Sequence, residues 1–96
     1  MFNTDAKIIQ RMAPMLQRVM IVDPQAATAR LIGELMRDIA GSQIWVAETR
    51  EKAMRLAGSY DPHIIFAELG PTPVDGVAFT RELRRSHLAC RYAPVI

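Results

Sequence analysis

A single cysteine, Cys90, stands in the 96 residues, so an internal disulfide cannot form and no cysteine-based metal spacing exists. Charge of one sign is equally scarce. Twelve basic and ten acidic side chains leave a formal net charge of +2, too small to argue for nucleic acid by itself. No apolar run approaches the ~20 residues that a membrane-spanning helix needs. A charged n-region followed by an apolar h-region is missing from the N-terminus, so no secretory signal is expected. A reducing, cytoplasmic setting fits these absences. Val22 is followed by Asp23-Pro24-Gln25 and not by a glycine-rich loop, which excludes a dinucleotide site. No hydrolase or redox constellation is visible either, and the chain is not expected to be an enzyme. Internal repeats, low-complexity segments and flexible linkers are absent from the sequence.

What is present is an ordinary balance for one small domain: half the residues are hydrophobic and 23% are charged. A chain this short buries roughly 60–65% of its unfolded surface, so its stability margin is thin and a partner would widen it. Short apolar runs without polar alternation recur at Val19–Val22, Ile44–Ala47 and Ile64–Ala67. Their length, β-branched content and turn-forming flanks predict strands covered on both faces, as in parallel sheets. Helical stretches lie between them. Ala27, Leu31, Leu35 and Ile39 recur at i, i+4 and predict the inward face of a first helix, with Gly41 as its left-handed C′ residue. Thr49 is placed to cap a second helix whose Ala53, Leu56 and Ala57 share a face, and Gly58 marks its expected end. Asp75 is placed to cap a third helix with Phe79 and Leu83 inward and Arg81, Glu82, Arg84 and Arg85 mostly outward. Pro94-Val95-Ile96 begins a further apolar run.

Strand and helix therefore alternate, which predicts an α/β fold with a doubly wound parallel sheet and right-handed crossovers. Residues 1–17 stand outside that rhythm as an N-terminal extension. Thr4 or Asp5 is suited to cap a short helix there carrying Ile8, Ile9 and Met12, which Pro14 would end or kink.

Residues 18–96 resemble the first two-thirds of a response-regulator receiver domain. The resemblance rests on Val19-Met20-Ile21-Val22-Asp23 as a first strand ending in acid, and on Pro62-His63-Ile64-Ile65-Phe66-Ala67-Glu68-Leu69 as a third strand. The run from Leu69 through Thr72 to Asp75-Gly76, and Ala93-Pro94-Val95-Ile96, complete it in matching register. Val-Asp-Pro-Gln and Arg-Arg-Ser-His-Leu-Ala-Cys-Arg are also similar to alphaproteobacterial receiver-like proteins with degenerate acidic sites. The family implies a flavodoxin-like strand order, 2-1-3-4-5, here with strands one to four and without the final third of the domain. It also implies a site outside the carboxyl ends of the central strands, where Asp23 and Glu68 fall.

A working receiver accepts a phosphoryl group on an aspartate, with Mg²⁺ held by carboxylates. This sequence departs from that pattern at several positions. Pro24 replaces the second acid of the family's pair. Glu68 occupies the phosphoacceptor position, and its extra methylene moves the carboxylate by about 1 Å, a displacement that can cost roughly 100-fold where alignment matters. Thr72 stands where a loop proline is expected, with Pro71 and Pro73 beside it. The family's switch hydroxyl and its lysine would follow Ile96. The implied product is a pseudo-receiver with no cofactor, or with weak Mg²⁺ at Asp23 and Glu68.

Several side chains admit two readings. Glu68 reads as a standing mimic of phosphorylation or as a leftover solvated carboxylate, and its single charge favours the second. Asp23 reads equally as a turn-capping residue ahead of Pro24 at the first helical position or as a metal ligand. Asp75 reads as a cap, Trp45 and Phe66 as core, His63 and His87 as structural or solvated, and Cys90 as inert. Arg81, Arg84, Arg85, His87 and Arg91 form a basic cluster that reads as a solvated face, or as a surface for an acidic protein partner.

The expected function is a non-catalytic receiver-like module of two-component phosphorelay signalling that acts through protein–protein contact. The alternatives are a weakly active receiver that still takes Mg²⁺ and a phosphoryl group, and a small basic binder of nucleic acid or an acidic partner. A chain stopping in strand four would expose an edge and invite a homodimer or a strand-exchanged assembly. The same stop reads equally as a piece of a longer receiver. Membrane and nucleic-acid partners are not expected.

Overall fold

The computed structural model describes residue 11 and residues 13–68 and 75–96. The expected N-terminal helix around Ile8, Ile9 and Met12, and the loop at Pro71, Thr72 and Pro73, lie outside the described residues. Strand β1 (Arg18–Val22), helix α1 (Ala26–Ala40), strand β2 (Gln43–Ala47), helix α2 (Arg50–Tyr60), strand β3 (Ile64–Ala67) and helix α3 (Gly76–Arg85) follow in order. Short 3-10 turns occupy Ala13–Leu16 and Ala89–Tyr92.

The three strands form one parallel sheet in the order β2-β1-β3. Beyond β3, Val95 makes an isolated parallel bridge to Ile65. Ile65 N–H donates to Pro94 O at 2.9 Å, and Ile65 O accepts from Ile96 N–H at 2.8 Å. Strand direction reverses its spread at β1, with β2 laid on one side and β3 on the other. Crossovers of one hand then require α1 and α2 on opposite faces, and that is where they lie. Val19 and Ile21 pack with Ala29 and Met36 of α1, bordered by Ile44, Val46, Ile64 and Phe66. Met20, Val22 and Ile65 pack with Ala53 and Ala57 of α2 and Phe79 and Leu83 of α3. The period-two alternation of β1 thus feeds two separate cores.

Local chemistry fixes most element ends. Thr49 Oγ1 accepts from Lys52 N–H at 3.2 Å, and Asp75 Oδ1 accepts from Ala78 N–H at 3.2 Å, so both expected caps are present. Gly41 ends α1 in the left-handed region, with its N–H on Arg37 O. The expected stop at Gly58 is not observed. Helix α2 runs on to Tyr60 and ends at Asp61, whose φ is 50°. Tyr60 stacks on Trp45 with ring centroids 4.6 Å apart, a contact that rewards two further helical residues, and Pro62 then blocks continuation. Trp45 is accordingly half-buried at the outer strand of the sheet and not part of the sealed core, while Phe66 is half-buried against the α1-side cluster. Helix α1 begins at Ala26 with Gln25 as its cap residue, so Pro24 precedes the helix and does not occupy its first position.

The inward face of α1 differs from the expected one. Its buried residues are Ala29, Gly33, Met36 and Ala40, whereas Leu31, Leu35 and Ile39 are 68%, 55% and 43% exposed and Ala27 is exposed as well. The reason is volume. Val19, Ile21, Ile44 and Val46 already fill the space above the sheet, so the helix presents small side chains there and approaches closely. A Cβ on Gly33 would lie 3.4 Å from Ile44 Cγ2 and 3.7 Å from Ile21 Cδ1. Among the described residues no helix is long and apolar enough to cross a membrane.

That spacing gives a graded test. Gly33→Ala makes ordinary contacts and gains helix propensity, so it should stabilise the fold by about 0.5–1 kcal/mol. Gly33→Leu must push α1 off the sheet and should destabilise it by about 1–3 kcal/mol. Urea unfolding of both variants would measure this, and a destabilised Gly33→Ala would contradict the close-packing account.

Candidate functional site

Each of the three strands is followed immediately by an acid: Asp23 after β1, Glu48 after β2 and Glu68 after β3. Parallel strands bring all three to one end of the sheet. Glu48 is diverted from any site there, because Lys52 Nζ lies 3.0 Å from its carboxylate and holds its pKa below the ordinary range. Asp23 and Glu68 remain. Both line one open cleft of about 360 Å³, together with Ile21, Val22, Ile32, Phe66, Ala67 and Ile96.

The backbone positions both acids through the sheet. Asp23 N–H donates to Ala47 O at 3.0 Å, and Glu68 N–H donates to Val22 O at 3.1 Å, so each acid continues the strand ladder by one residue. Asp23 is buried, and its Oδ1 accepts from Gln25 N–H at 2.8 Å. That bond closes a turn across Pro24, which has no N–H of its own to offer, and leads the chain into α1. Asp23 is therefore occupied as a turn-forming residue. Glu68 is half-buried on the cleft wall.

Among the described residues, the cleft lining holds two carboxylates, six apolar residues and no cation. A phosphoryl group there would meet like charge on two sides. At about 4 Å, each such pair of unit charges costs about 1 kcal/mol in a water-like medium and about 4 kcal/mol near a protein surface. Mg²⁺ is the group that would reverse this sign, and the described residues offer it a reduced donor set. Pro24 supplies no carboxylate, one Asp23 oxygen is engaged by the backbone, and no group of three His, Cys, Asp or Glu side chains gathers among the described residues.

The basic cluster separates into two kinds of arginine. Arg81, Arg84 and Arg85 line a second groove of about 450 Å³ with Val77, Thr80 and Val95. Arg84 is held in place, since its guanidinium donates to Arg91 O at 2.8 Å and Ala93 O at 2.9 Å, stapling the 3-10 turn to α3. Arg91 stands apart from the groove, donating to Leu88 O at 3.1 Å and lying over the Tyr92 ring at 4.9 Å. Arg81 and Arg85 are exposed and make no ion pair among the described residues. His87 is exposed. His63 has a structural role, its Nδ1 accepting from Arg18 N–H at 3.3 Å.

Cys90 is buried, with its thiol 3.5 Å from Ala57 O. Burial pushes the thiol pKa up, and the charge of Asp61 adds to that effect. The sequence signals missed Ile32 and Ile96 as cleft-lining residues. Nothing in their spacing distinguishes a side chain at the rim of a cleft from one in the core.

Two measurements follow from this geometry. Arg84→Ala removes two charge-assisted hydrogen bonds to backbone carbonyls and should cost about 1–3 kcal/mol, whereas Arg85→Ala should stay within about 0.5 kcal/mol in the same unfolding assay. Equal effects would refute the division. The Cys90 thiol should react with an aromatic disulfide reagent only as fast as the domain opens, and its rate should rise steeply with denaturant. A fast reaction in buffer would show the thiol to be accessible.

No family model matches the chain, and no curated protein matches it.

Proposed function

We propose that the chain is a receiver-like module of two-component phosphorelay signalling that acts by protein contact and has lost phosphotransfer. One observation carries the reading: Glu68 and Asp23 line one cleft, with no cation among its described residues, at the carboxyl ends of the two central strands. The strand order β2-β1-β3 with Val95 bridged to the far side of β3 supports a flavodoxin-like sheet, and that sheet type binds at this crevice. The cleft sits in the receiver's place but carries the wrong donors for its chemistry. Pro24 removes one magnesium-directed acid, Glu68 misplaces the acceptor, and Asp23 is committed to its turn.

Loss of the chemistry leaves the outer surfaces intact, so the working parts on this reading are faces and not a pocket. The partner is a protein or a second copy of this chain, and a cytoplasmic setting belongs to the same proposal.

The test is incubation with Mg²⁺ and a small phosphodonor, read by intact mass. The expected result is no gain of a phosphoryl group. Glu68→Asp should also stay unmodified, because Pro24 is still in place. A phosphorylated wild-type chain would overturn the proposal, and phosphorylation of Glu68→Asp alone would reduce the defect to a single methylene.

A further inference from the structure

Two exposed surfaces of this chain match each other. On α1, Leu31, Leu35 and Ile39 form an apolar ridge at i, i+4, i+8, turned roughly 130° around the helix from the buried row of Ala29, Gly33, Met36 and Ala40. Glu34 and Asp38 run along one side of that ridge, also four residues apart, and both are exposed. Arg30 and Arg37 lie roughly 140–160° around the helix from the ridge, on its far side. On α3, Val77, Arg81 and Arg85 form one i, i+4, i+8 row and Thr80 and Arg84 form the next, and together with Val95 they line the groove. Glu82, the one acid of α3, points away from that groove and pairs with Arg50.

An i±4 ridge laid into an i±4 groove is the commonest mode of helix packing. Here the charges agree with the shape. The ladder of Glu34 and Asp38 has the same four-residue spacing, about 6 Å, as the ladder of Arg81 and Arg85. None of the four residues has an ion partner among the described residues. An antiparallel contact between two copies of α1 would set Glu34 and Asp38 against their own equivalents and a parallel one would leave them without a cation, so the acid-flanked ridge is better matched by the arginine-lined groove.

We propose that α1 of one copy docks in the α3 groove of a second copy. Helices α1 and α3 lie on opposite faces of the sheet, so the contact is head-to-tail and leaves one free ridge and one free groove on each pair. Such a contact continues into open chains or closes as a ring, and does not stop at a two-fold dimer. The inference stands whether or not the cleft retains any chemistry.

Sedimentation velocity across a concentration series tests it. A single-helix contact belongs to the small, weak class of interfaces, below about 1,200 Å², so the series should reach about 1 mM. The wild-type chain should grow in mean mass with concentration, past the dimer or to a ring, and lose that growth in high salt. Glu34→Arg with Asp38→Arg should weaken association at least about tenfold, and so should Arg81→Glu with Arg85→Glu. These positions are exposed, and circular dichroism should show both variants folded.

The decisive arm is the mixture of the two variants. Each alone sets like charge against like, yet together every ridge finds an opposite groove, so the mixture should associate as the wild type does. A wild-type chain that stays monomeric at the highest concentration assigns the surfaces to other partners and overturns the proposal. So does a mixture that fails to recover association.

Discussion

Strand β1 carries the constraint on which the rest of the molecule depends. Val19, Met20, Ile21 and Val22 are 0%, 1%, 1% and 0% exposed, so four successive side chains, pointing alternately up and down, are all sealed from water. Fully burying such side chains contributes roughly 1.5–3 kcal/mol each, and a strand of this kind is stable only when both faces are covered and both edges paired. Covering both faces demands helices above and below. Pairing both edges with parallel neighbours demands that the chain cross over twice and reverse its direction of spread at β1. That reversal creates a crevice at the carboxyl ends of β1 and β3. The position of Asp23 and Glu68 thus follows from the packing demands of Val19–Val22, and a cleft would exist there whatever residues lined it.

The two faces solve the covering problem differently, and the difference decides what the surface looks like. Beneath Met20 and Val22, the space is filled from the helices by Phe79 and Leu83, with Ala53 and Ala57 letting α2 sit close. Above Val19 and Ile21, the bulk comes from the strands, and α1 contributes small residues and Met36. Both arrangements cover the strand, because close packing lets a core be filled once and not twice. The consequence for α1 is that its three largest branched residues other than Ile32 are left over. Leu31, Leu35 and Ile39 face solvent because there is no room for them inside.

That outcome explains where the sequence was legible and where it was not. The strands were readable because sealed runs such as Val19–Val22 leave no alternative at their length, and the caps at Thr49 and Asp75 were readable because they depend on one side chain and a nearby N–H. The pairing of Asp23 with Glu68 in one cleft was expected only through the strand order that the resemblance implies. The inward face of α1 was not legible, since ranking by hydrophobicity favours Leu31, Leu35 and Ile39 over Ala29, Gly33 and Ala40. Only the volumes of Ile21 and Ile44, supplied from elsewhere in the chain, decide between the two rows. The end of α2 was hidden for a similar reason. Gly58 is a sound local stop signal, but Tyr60 and Trp45 are fifteen residues apart in sequence and their stacking outweighs it. Each miss is a tertiary contact overriding a local preference.

Asp23 and Glu68 at the carboxyl end differ in how far the fold itself depends on them. Asp23 is buried, and removing its carboxylate would leave Gln25 N–H without its acceptor at the entrance to α1. Gln25 is exposed, so water can meet part of that loss, and the lost hydrogen bond costs about 0.5–1.5 kcal/mol, still a noticeable share of the margin of a domain this small. Asp23 therefore has a structural reason to be an acid that is independent of any ligand. Glu68 has none: its backbone N–H completes the ladder to Val22 O, and any residue but proline would do the same. Pro24 goes further, since it fits the turn that Asp23 closes by having no N–H to satisfy. The acidic pocket on these terms divides into a carboxylate that the fold needs and positions that only chemistry would need. The fold-dependent position holds its acid, and the chemistry-dependent ones hold Pro24 and Glu68. On the proposed reading, this division is what a cleft shows when stability still constrains it and phosphotransfer does not.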